Sequence, residues 1–180
     1  MLESAEILNA SILIVDDQEA NVMLLERMLL NEGYQNITTT QSPHAVYGLH
    51  KQHRFDLILL DLQMPEMDGF EVIEELKKIE QGSYLPVLVI TAQPAHKLRA
   101  LKAGAKDFVS KPFDFVEVQT RIHNMLEVRL LYRKLNDHNR LLEQTVLERT
   151  AELRESKARF QRFTELSSDW YWEQDATGRL

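Results

Sequence analysis

Short apolar runs alternate with amphipathic stretches along the first two thirds of the chain. Five runs have the composition of buried strands, namely residues 12–15, 37–40, 57–60, 87–91 and 108–110. Apolar residues at helical spacing predict helices near residues 18–31, 43–50, 68–79 and 95–103, followed by a last, long helix. Unbroken apolar strands that alternate with helices are typical of a parallel sheet covered on both faces. We therefore predict an α/β fold with a doubly wound, five-stranded parallel sheet of the flavodoxin-like type, in the strand order 2-1-3-4-5.

Residues that begin or end helices support these boundaries. Gly33 follows the first predicted helix as a C-terminal cap, and Ser42 followed by Pro43 predicts the start of the second. Asp68 is placed to cap the third helix.

The last helix predicts a coiled coil. No Pro or Gly occurs between Phe113 and Gly178, and residues up to about 165 are rich in Leu, Glu, Arg and Gln. A repeat of 3.5 residues gives two mostly apolar seam positions, occupied by Val118, Met125, Tyr132, Asn139, Val146, Leu153 and Phe160, and by Arg121, Val128, Leu135, Leu142, Arg149, Ser156 and Phe163. Such a helix would extend for roughly 80 Å, too far to fold back on one small domain. We expect a homodimer through residues 118–163, in which the polar Asn139 fixes the register and favours two strands.

Composition and charge exclude several classes of protein. The 180-residue chain carries a net charge of -7, and its acidic excess lies in residues 1–116, which argues against nucleic-acid binding by this region. The chain contains no cysteine, which excludes disulfides and thiolate metal sites. It shows neither a basic and apolar leader at its start nor 18 consecutive apolar residues. We expect a cytoplasmic protein that does not bind a membrane.

Four predicted strands end at polar residues that can handle phosphate or metal. These residues are Asp16 and Asp17, Asp61, Thr91 and Lys111. Because the carboxyl ends of parallel strands meet at one edge of the sheet, we expect these side chains to converge there. The pattern predicts a phosphorylatable carboxylate site before any family is considered.

Each of these residue types suits one task in phosphoryl transfer. Asp61 is the candidate nucleophile, since a carboxylate can form an aspartyl phosphate when the charge on the transferring group is neutralised. Asp16 and Asp17, with the backbone carbonyl of Gln63, are candidate ligands for magnesium (Mg2+). Lys111 offers a positive charge and Thr91 a hydroxyl donor to the phosphoryl oxygens.

Each of these residues also has an ordinary structural explanation. Asp17 alone is explained as a cap of the first helix, Thr91 as a cap of the fourth, and Lys111 as the partner of a buried Asp61. The shared placement of all of them at strand ends favours the functional interpretation.

The same residues resemble a response-regulator receiver domain, similar to the chemotaxis-type regulators of bacterial two-component systems. The resemblance rests on ILIVDD at residues 12–17, LLDLQMPEMDG at 59–69, VITA at 89–92 and FVSKPF at 108–113. It implies that Asp61 accepts a phosphoryl group from a histidine kinase or phosphotransfer protein, and that Thr91 and Phe108 form a switch pair. It also implies a signalling module rather than an enzyme with a separate substrate. Phe108 lacks the hydroxyl of the tyrosine that is commoner in this family.

The end of the chain carries a second resemblance. Residues 163–180, with SSDWYWEQD at 167–175, look like the opening of a PAS sensory domain, and ERTAEL at 148–153 is similar to linkers that precede signalling outputs. The resemblance implies a longer protein with a PAS domain and an output, most often a diguanylate cyclase or a cyclic-di-GMP phosphodiesterase. The alternative is that Trp170 and Trp172 form an apolar helix tail.

We therefore expect a receiver domain at residues 1–125, an extended helix and dimeric coiled-coil linker at 113–165, and the beginning of a PAS domain at 166–180. Two competing functions remain open at this stage. One is a degenerate receiver that acts only as a dimerisation or docking scaffold, and the complete acidic site argues against it. The other is an independent hydrolase of small phosphates, for which the sequence lacks residues for a separate substrate pocket. The histidines show no metal-site spacing, and the surroundings of His138 do not resemble a kinase phosphorylation motif.

Overall fold

Strands and helices alternate through the first two thirds of the chain. The computed structural model describes residues 4–65, 67–80, 84–93 and 96–177, and it describes side chains as far as residue 165. The strands are β1 (Ser11–Val15), β2 (Asn36–Thr40), β3 (Leu57–Asp61), β4 (Val87–Thr91) and β5 (Asp107–Ser110). The helices are α1 (Ser4–Leu8), α2 (Glu19–Asn31), α3 (Ala45–His53), α4 (Gly69–Ile79), α5 (Lys97–Ala103) and α6 (Phe115–Thr177).

The five strands form one parallel sheet in the order β2-β1-β3-β4-β5, which confirms the predicted flavodoxin-like arrangement. The register pairs Val15 of β1 with Leu60 of β3, and Thr91 of β4 with Ser110 of β5. The ends of β1, β3, β4 and β5 therefore lie at one edge of the sheet, as the polar residues at the strand ends indicated.

Both faces of the sheet are buried, and each has its own apolar core. Side chains that alternate along the strands point to opposite faces, so Leu13 and Ile12 belong to different cores. One core lies under α3, α4 and α5, and the other under α1, α2 and α6. The unbroken apolar strands follow directly from this two-sided burial.

The helix boundaries follow the caps in part. Gly33 has a positive φ of 93° just after α2, which confirms its role as the residue that ends this helix. The predicted start at Ser42 and Pro43 is wrong, because α3 begins at Ala45. The Ser42 backbone N–H donates instead to the Thr40 hydroxyl, which closes a turn before the helix.

Helix α1 was missed by the sequence analysis. It has only five residues, too few for an apolar period to be read, but Ile7 is buried in the core with α2 and α6. The Leu8 carbonyl accepts a hydrogen bond from the Gln35 N–H, which ties this helix to the start of β2.

Helix α6 takes part in both of the compact units into which the contacts divide the chain, Met1–Arg133 and Lys134–Leu180. In the first unit it covers the sheet with five buried apolar side chains, those of Val118, Ile122, Met125, Leu126 and Leu130. Each contributes about 1.5–3 kcal/mol by leaving water. Val118 and Met125 were expected at a seam with a partner helix, and that expectation is wrong for these two residues because the chain's own core covers them.

In the second unit, α6 exposes the remaining seam residues whose side chains are described. Leu135, Leu142, Val146, Leu153 and Phe160 are all at least 50% exposed. The helix carries ion pairs within itself, from Arg149 to Glu152 and from Arg159 to Glu155. The predicted PAS segment at residues 166–180 lies outside the residues whose side chains are described. Within the described residues, no helix is long and apolar enough to cross a membrane.

Candidate active site

Three carboxylates meet at the carboxyl edge of the sheet. Asp16 and Asp17 directly follow β1, and Asp61 is the last residue of β3, the neighbouring strand. One oxygen from each carboxylate lies within 4.8 Å of the other two. Asp16 and Asp61 are buried, whereas Asp17 is partly exposed. The structure thus brings together the three acids that the sequence analysis selected.

The Lys111 amino group links two of these carboxylates. Its Nζ atom donates to Asp61 Oδ2 at 2.8 Å and to Asp16 Oδ2 at 2.9 Å. The Lys111 backbone N–H donates to the carbonyl of Thr91 at 2.8 Å, so the strand pairing between β4 and β5 continues to this residue. The Lys111–Pro112 peptide bond is cis. One cation therefore offsets the repulsion between two buried negative charges.

Asp16 is held in place by the beginning of α2. Its Oδ1 atom accepts from the Gln18 N–H at 2.9 Å, and the Asn21 side-chain amide donates to both Asp16 oxygens at 3.0 Å. Sequence reasoning missed Asn21. Its only sequence signal is the position of an amide four residues after the Asp pair, in the first turn of a helix.

Burial and hydrogen bonding act in opposite directions on Asp61 and Lys111. Burial raises the pKa of Asp61 above its usual value, and the hydrogen bonds from Lys111 and from the Gln63 N–H offset that rise only in part. Burial alone lowers the pKa of Lys111, but the hydrogen bonds to Asp61 and Asp16 outweigh it and leave the pKa raised. Lys111 is thus a permanent cation at neutral pH.

Asp17 carries a buried polar atom that the described residues leave unsatisfied. Its Oδ1 atom is buried and has no hydrogen-bond partner among the described residues. The cap interpretation of Asp17 is wrong, because Gln18 is the N-cap residue of α2 and no side chain caps this helix end. A buried carboxylate oxygen without a partner is costly, and a cation would satisfy it. The donor set therefore fits a divalent metal ion that prefers oxygen.

The loop after β3 approaches the next helix closely at Gly69. A Cβ atom there would lie 2.6 Å from the Asp61 carbonyl oxygen and 2.8 Å from the Leu62 Cα. The Gly69 N–H donates to the Leu62 carbonyl at 3.1 Å. Asp68 caps α4 in a capping box with Glu71, which confirms the cap predicted at this residue. These contacts place the backbone around Asp61.

Thr91 and Phe108 lie on the neighbouring strands β4 and β5. The Thr91 side chain is fully buried, and its hydroxyl accepts a hydrogen bond from the Gln93 N–H at 3.1 Å. Helix α5 has His96 as its N-cap residue, so Thr91 does not cap it. Phe108 is partly buried, and the Lys97 ammonium lies 4.3 Å from the centre of its ring. Sequence reasoning did not identify Lys97, because a contact between a helix and a strand leaves no local pattern.

Comparisons with known proteins bear on the same region. Residues 12–123 match the family model of the response regulator receiver domain. The chain is 38% identical over 130 residues to the response regulator PleD of Caulobacter vibrioides, which covers 71% of this chain and 28% of PleD. It is 33% identical over 145 residues to a probable cyclic di-GMP phosphodiesterase of Vibrio cholerae, which covers 79% of this chain and 32% of that protein.

A solved structure has the same fold and a related site. It is the receiver domain of a sensor histidine kinase from Pseudomonas aeruginosa, with a magnesium ion coordinated in its active-site cleft. It is 28% identical, superposes with a TM-score of 0.61, and the match covers 66% of this chain and 98% of that one. The chain thus corresponds to a whole receiver domain in this structure and spans about a third or less of the two curated relatives.

Proposed function

Since this chain belongs to the response regulator receiver family of two-component signalling proteins, we propose that it is a switch controlled by phosphorylation of Asp61. The observation that carries the proposal is the Lys111 amino group, which bridges Asp61 and Asp16 beside the unpartnered oxygen of Asp17. Phosphoryl transfer to a side chain requires a nucleophilic carboxylate, a fixed cation and an acidic oxygen that can bind a metal ion.

Magnesium is the cofactor that these residues suit. Asp16, Asp17 and Asp61 supply the carboxylates, and the backbone carbonyl of Gln63 is the fourth ligand that we propose. When bound, magnesium neutralises negative charge on the transferring phosphoryl group. The magnesium in the related receiver from Pseudomonas aeruginosa supports this assignment.

Asp61 then acts as the nucleophile. One of its carboxylate oxygens forms a bond to phosphorus while the bond between phosphorus and a histidine nitrogen of the donor breaks, and that nitrogen keeps the electron pair. The donor is a histidine kinase or a phosphotransfer protein. Lys111, which holds Asp61 Oδ2 at 2.8 Å, is placed to bind a phosphoryl oxygen after transfer. Water later attacks the same phosphorus, which restores the carboxylate and releases inorganic phosphate.

The new phosphoryl group acts on Thr91 and Phe108. We propose that the Thr91 hydroxyl leaves the Gln93 N–H and donates to a phosphoryl oxygen. Phe108 then moves into the space that the Thr91 side chain leaves. Lys97 lies over the Phe108 ring and stabilises its present position by about 0.5–2 kcal/mol. This contact sets part of the free energy that phosphorylation has to overcome.

Helix α6 carries the change onward. It begins five residues after Ser110, the last residue of β5, and one face of its early turns, with Val118 and Ile122, is buried against the sheet. The seam residues after Arg133 are exposed and fit a second copy of the same helix, so we propose a homodimer in which phosphorylation changes the packing of the paired helices.

The output lies in a longer protein. PleD and the probable cyclic di-GMP phosphodiesterase extend well beyond the region that they share with this chain. We propose that the coiled coil leads to a PAS domain and then to an output that makes or degrades cyclic di-GMP. No nucleic-acid contact is part of this proposal.

Beryllofluoride, which binds phosphorylatable carboxylates as a phosphoryl mimic, tests the switch. With magnesium, fluorine NMR of the whole chain should show bound beryllofluoride and hydrogen exchange should change in α6. Asp61→Asn should show neither effect. Asp137→Asn makes the same substitution at an exposed site on α6 and should respond as the wild type does. A wild type that binds no beryllofluoride would leave only the scaffold function.

A further inference from the structure

Another buried carboxylate, that of Asp56, lies at the edge of the sheet opposite to Asp61. It immediately precedes β3, five residues before Asp61 in the chain, and only 4% of it is exposed. Its backbone N–H donates to the Ser11 carbonyl at 2.7 Å, and its Oδ2 atom accepts from the Ser11 N–H at 3.2 Å. The phosphoryl chemistry does not involve this residue, because strand β3 separates it from the acidic site.

Two arginines of α6 meet the other oxygen of Asp56. Arg133 donates from Nη1 to Asp56 Oδ1 at 2.8 Å, and the Arg129 Nε lies 3.6 Å from the same oxygen. Arg129 also donates from Nη1 to the Tyr84 carbonyl at 2.6 Å, just before β4. Arginines four residues apart lie on one face of a helix, so a single turn of α6 contacts the starts of two strands.

This cluster lies where the first unit ends. Up to residue 165, Leu130 is the last buried apolar residue of α6, and Leu131 and Leu135 are 48% and 56% exposed. The first unit ends at Arg133 itself. Near this end, the domain holds α6 through the ring contact of Tyr132 with Tyr84 and through the ion pairs of the buried Asp56. A charge-assisted hydrogen bond such as that from Arg133 fixes both distance and direction.

We propose that Asp56 is a positioning residue, which through Arg129 and Arg133 fixes the point at which α6 leaves the receiver. The transmission role rests on the proposed function, because it assumes that phosphorylation moves α6. A movement at the start of α6 reaches the residues after 133 only if the helix stays packed along its domain-bound part. With the anchor removed, the last turns on the domain fray and absorb the movement.

Hydrogen exchange of the whole chain tests the anchor without phosphorylation. Asp56→Asn should speed exchange of amides 126–137 at least about tenfold, since it removes the negative charge that faces the buried Arg129 side chain. Arg133→Gln should act at the same place more weakly, because the side chain of Arg133 is half exposed and Arg129 remains. This second variant serves if Asp56→Asn does not fold. Arg133→Lys should restore slow exchange.

A matched control uses a different ion pair between α6 and the sheet. Asp107, the first residue of β5, pairs with Arg121 nearer the start of α6. Asp107→Asn should leave amides 126–137 at the wild-type rate. Equal rates in the wild type, Asp56→Asn and Arg133→Gln would overturn the anchor.

Beryllofluoride and magnesium then test transmission. Arg133→Gln should bind beryllofluoride as the wild type does but lose at least about half of its effect on exchange in residues 134–165. An undiminished effect would overturn the positioning role even if the anchor exists. If the wild type itself binds no beryllofluoride, the proposed function fails, while the exchange rates without the probe still decide the anchor.

Discussion

The carboxylate oxygens of Asp17 and Asp61 differ in what the protein already supplies to them. Both Asp61 oxygens have donors, from Lys111 and from the Gln63 N–H, whereas Asp17 Oδ1 has none among the described residues. The two acids are therefore suited to different roles at this site. In the proposed switch, Asp61 is the nucleophile and Asp17 is a ligand of the cation.

Asp17→Asn should abolish the effect of magnesium on stability. Magnesium binds the folded site, so it should raise the melting temperature of the wild type in a manner that depends on its concentration. Asn removes the charge of Asp17 and keeps the volume of its side chain. In calorimetry, the magnesium-dependent rise of the melting temperature should therefore disappear. Glu74→Gln removes one negative charge from an exposed position outside the site and should keep the rise. A magnesium effect that survives Asp17→Asn would place the cation elsewhere.

His50 should make the stability of the fold depend on pH, independently of the acidic site. It is fully buried, unlike the exposed His53, and its Nε2 lies 3.0 Å from Glu80 Oε1. Burial lowers the pKa of His50 below 6.5, and Arg54 and Arg129 lower it further, while the contact with Glu80 offsets this only in part.

The folded state thus resists protonation of His50 more than the unfolded state does. The corresponding stability is fully present above pH 6.5 and is lost as the pH falls from 6.5 toward the lower pKa of the folded state. Chemical denaturation from pH 7.5 to 5.0 should therefore show a smaller slope with pH for His50→Gln than for the wild type. His53→Gln should keep the wild-type slope. Parallel slopes for all three proteins would contradict this account.

At the scale of elements, the turn from β3 into α4 is the tightest constraint on the site. The chain can bring the Asp61 carbonyl next to the start of α4 because residue 69 has no side chain. The same turn contains Asp68, whose capping box fixes the first turn of α4. The placement of Asp61 thus depends on a backbone contact as well as on Lys111.

Gly69→Ala should destabilise the fold by about 1–3 kcal/mol, since the added methyl group meets backbone atoms that cannot rotate away. It should also slow phosphorylation of Asp61, whose backbone has to shift. Gly48→Ala is the control, because no atom lies within 4 Å of a Cβ built there in the middle of α3. That change should stabilise the helix by about 0.5–1 kcal/mol. Urea titrations measure both values, and equal effects would disprove the close-approach argument.

The sequence predicts an element well when one hydrophobic period runs through it. It predicts an element less well when a tertiary contact sets where that element lies. Strands β1, β3 and β4 are correct because each is an unbroken apolar run that is almost wholly buried. Strands β2 and β5 contain polar residues and are partly exposed, and their prediction rests on the alternation of strands with helices. Helix α1 is stabilised by tertiary packing, and the start of α3 is set by the turn before it. Neither feature produces a hydrophobic period in the sequence. Local sequence signals are also missing for Asn21, for Lys97 and for the pairing of Asp56 with Arg133. In each case the two partners come together only when the chain folds.

At the scale of the whole molecule, α6 has two kinds of apolar surface. The heptad pattern predicted one continuous seam, but Val118 and Met125 cover the sheet. A pattern of apolar spacing does not distinguish burial in the chain's own core from burial against a partner. Residues 134–163 are therefore the part of the predicted interface that is available to a second copy.

Leu142→Asp should prevent dimerisation, because Leu142 occupies a seam position and is 50% exposed. Leu141→Asp places the same charge one residue earlier, outside the seam, where the side chain is 61% exposed. Sedimentation velocity should show a dimer for the wild type and for Leu141→Asp, and a monomer for Leu142→Asp. A dimer that survives the change at Leu142 would require a different interface.

The central claim is that Asp61 accepts the phosphoryl group. The most direct measurement is the intact mass of the protein after incubation with acetyl phosphate and magnesium. The wild type and Asp56→Asn should each gain one phosphoryl group, and Asp61→Asn should gain none. No gain in the wild type, or an equal gain in Asp61→Asn, would contradict it.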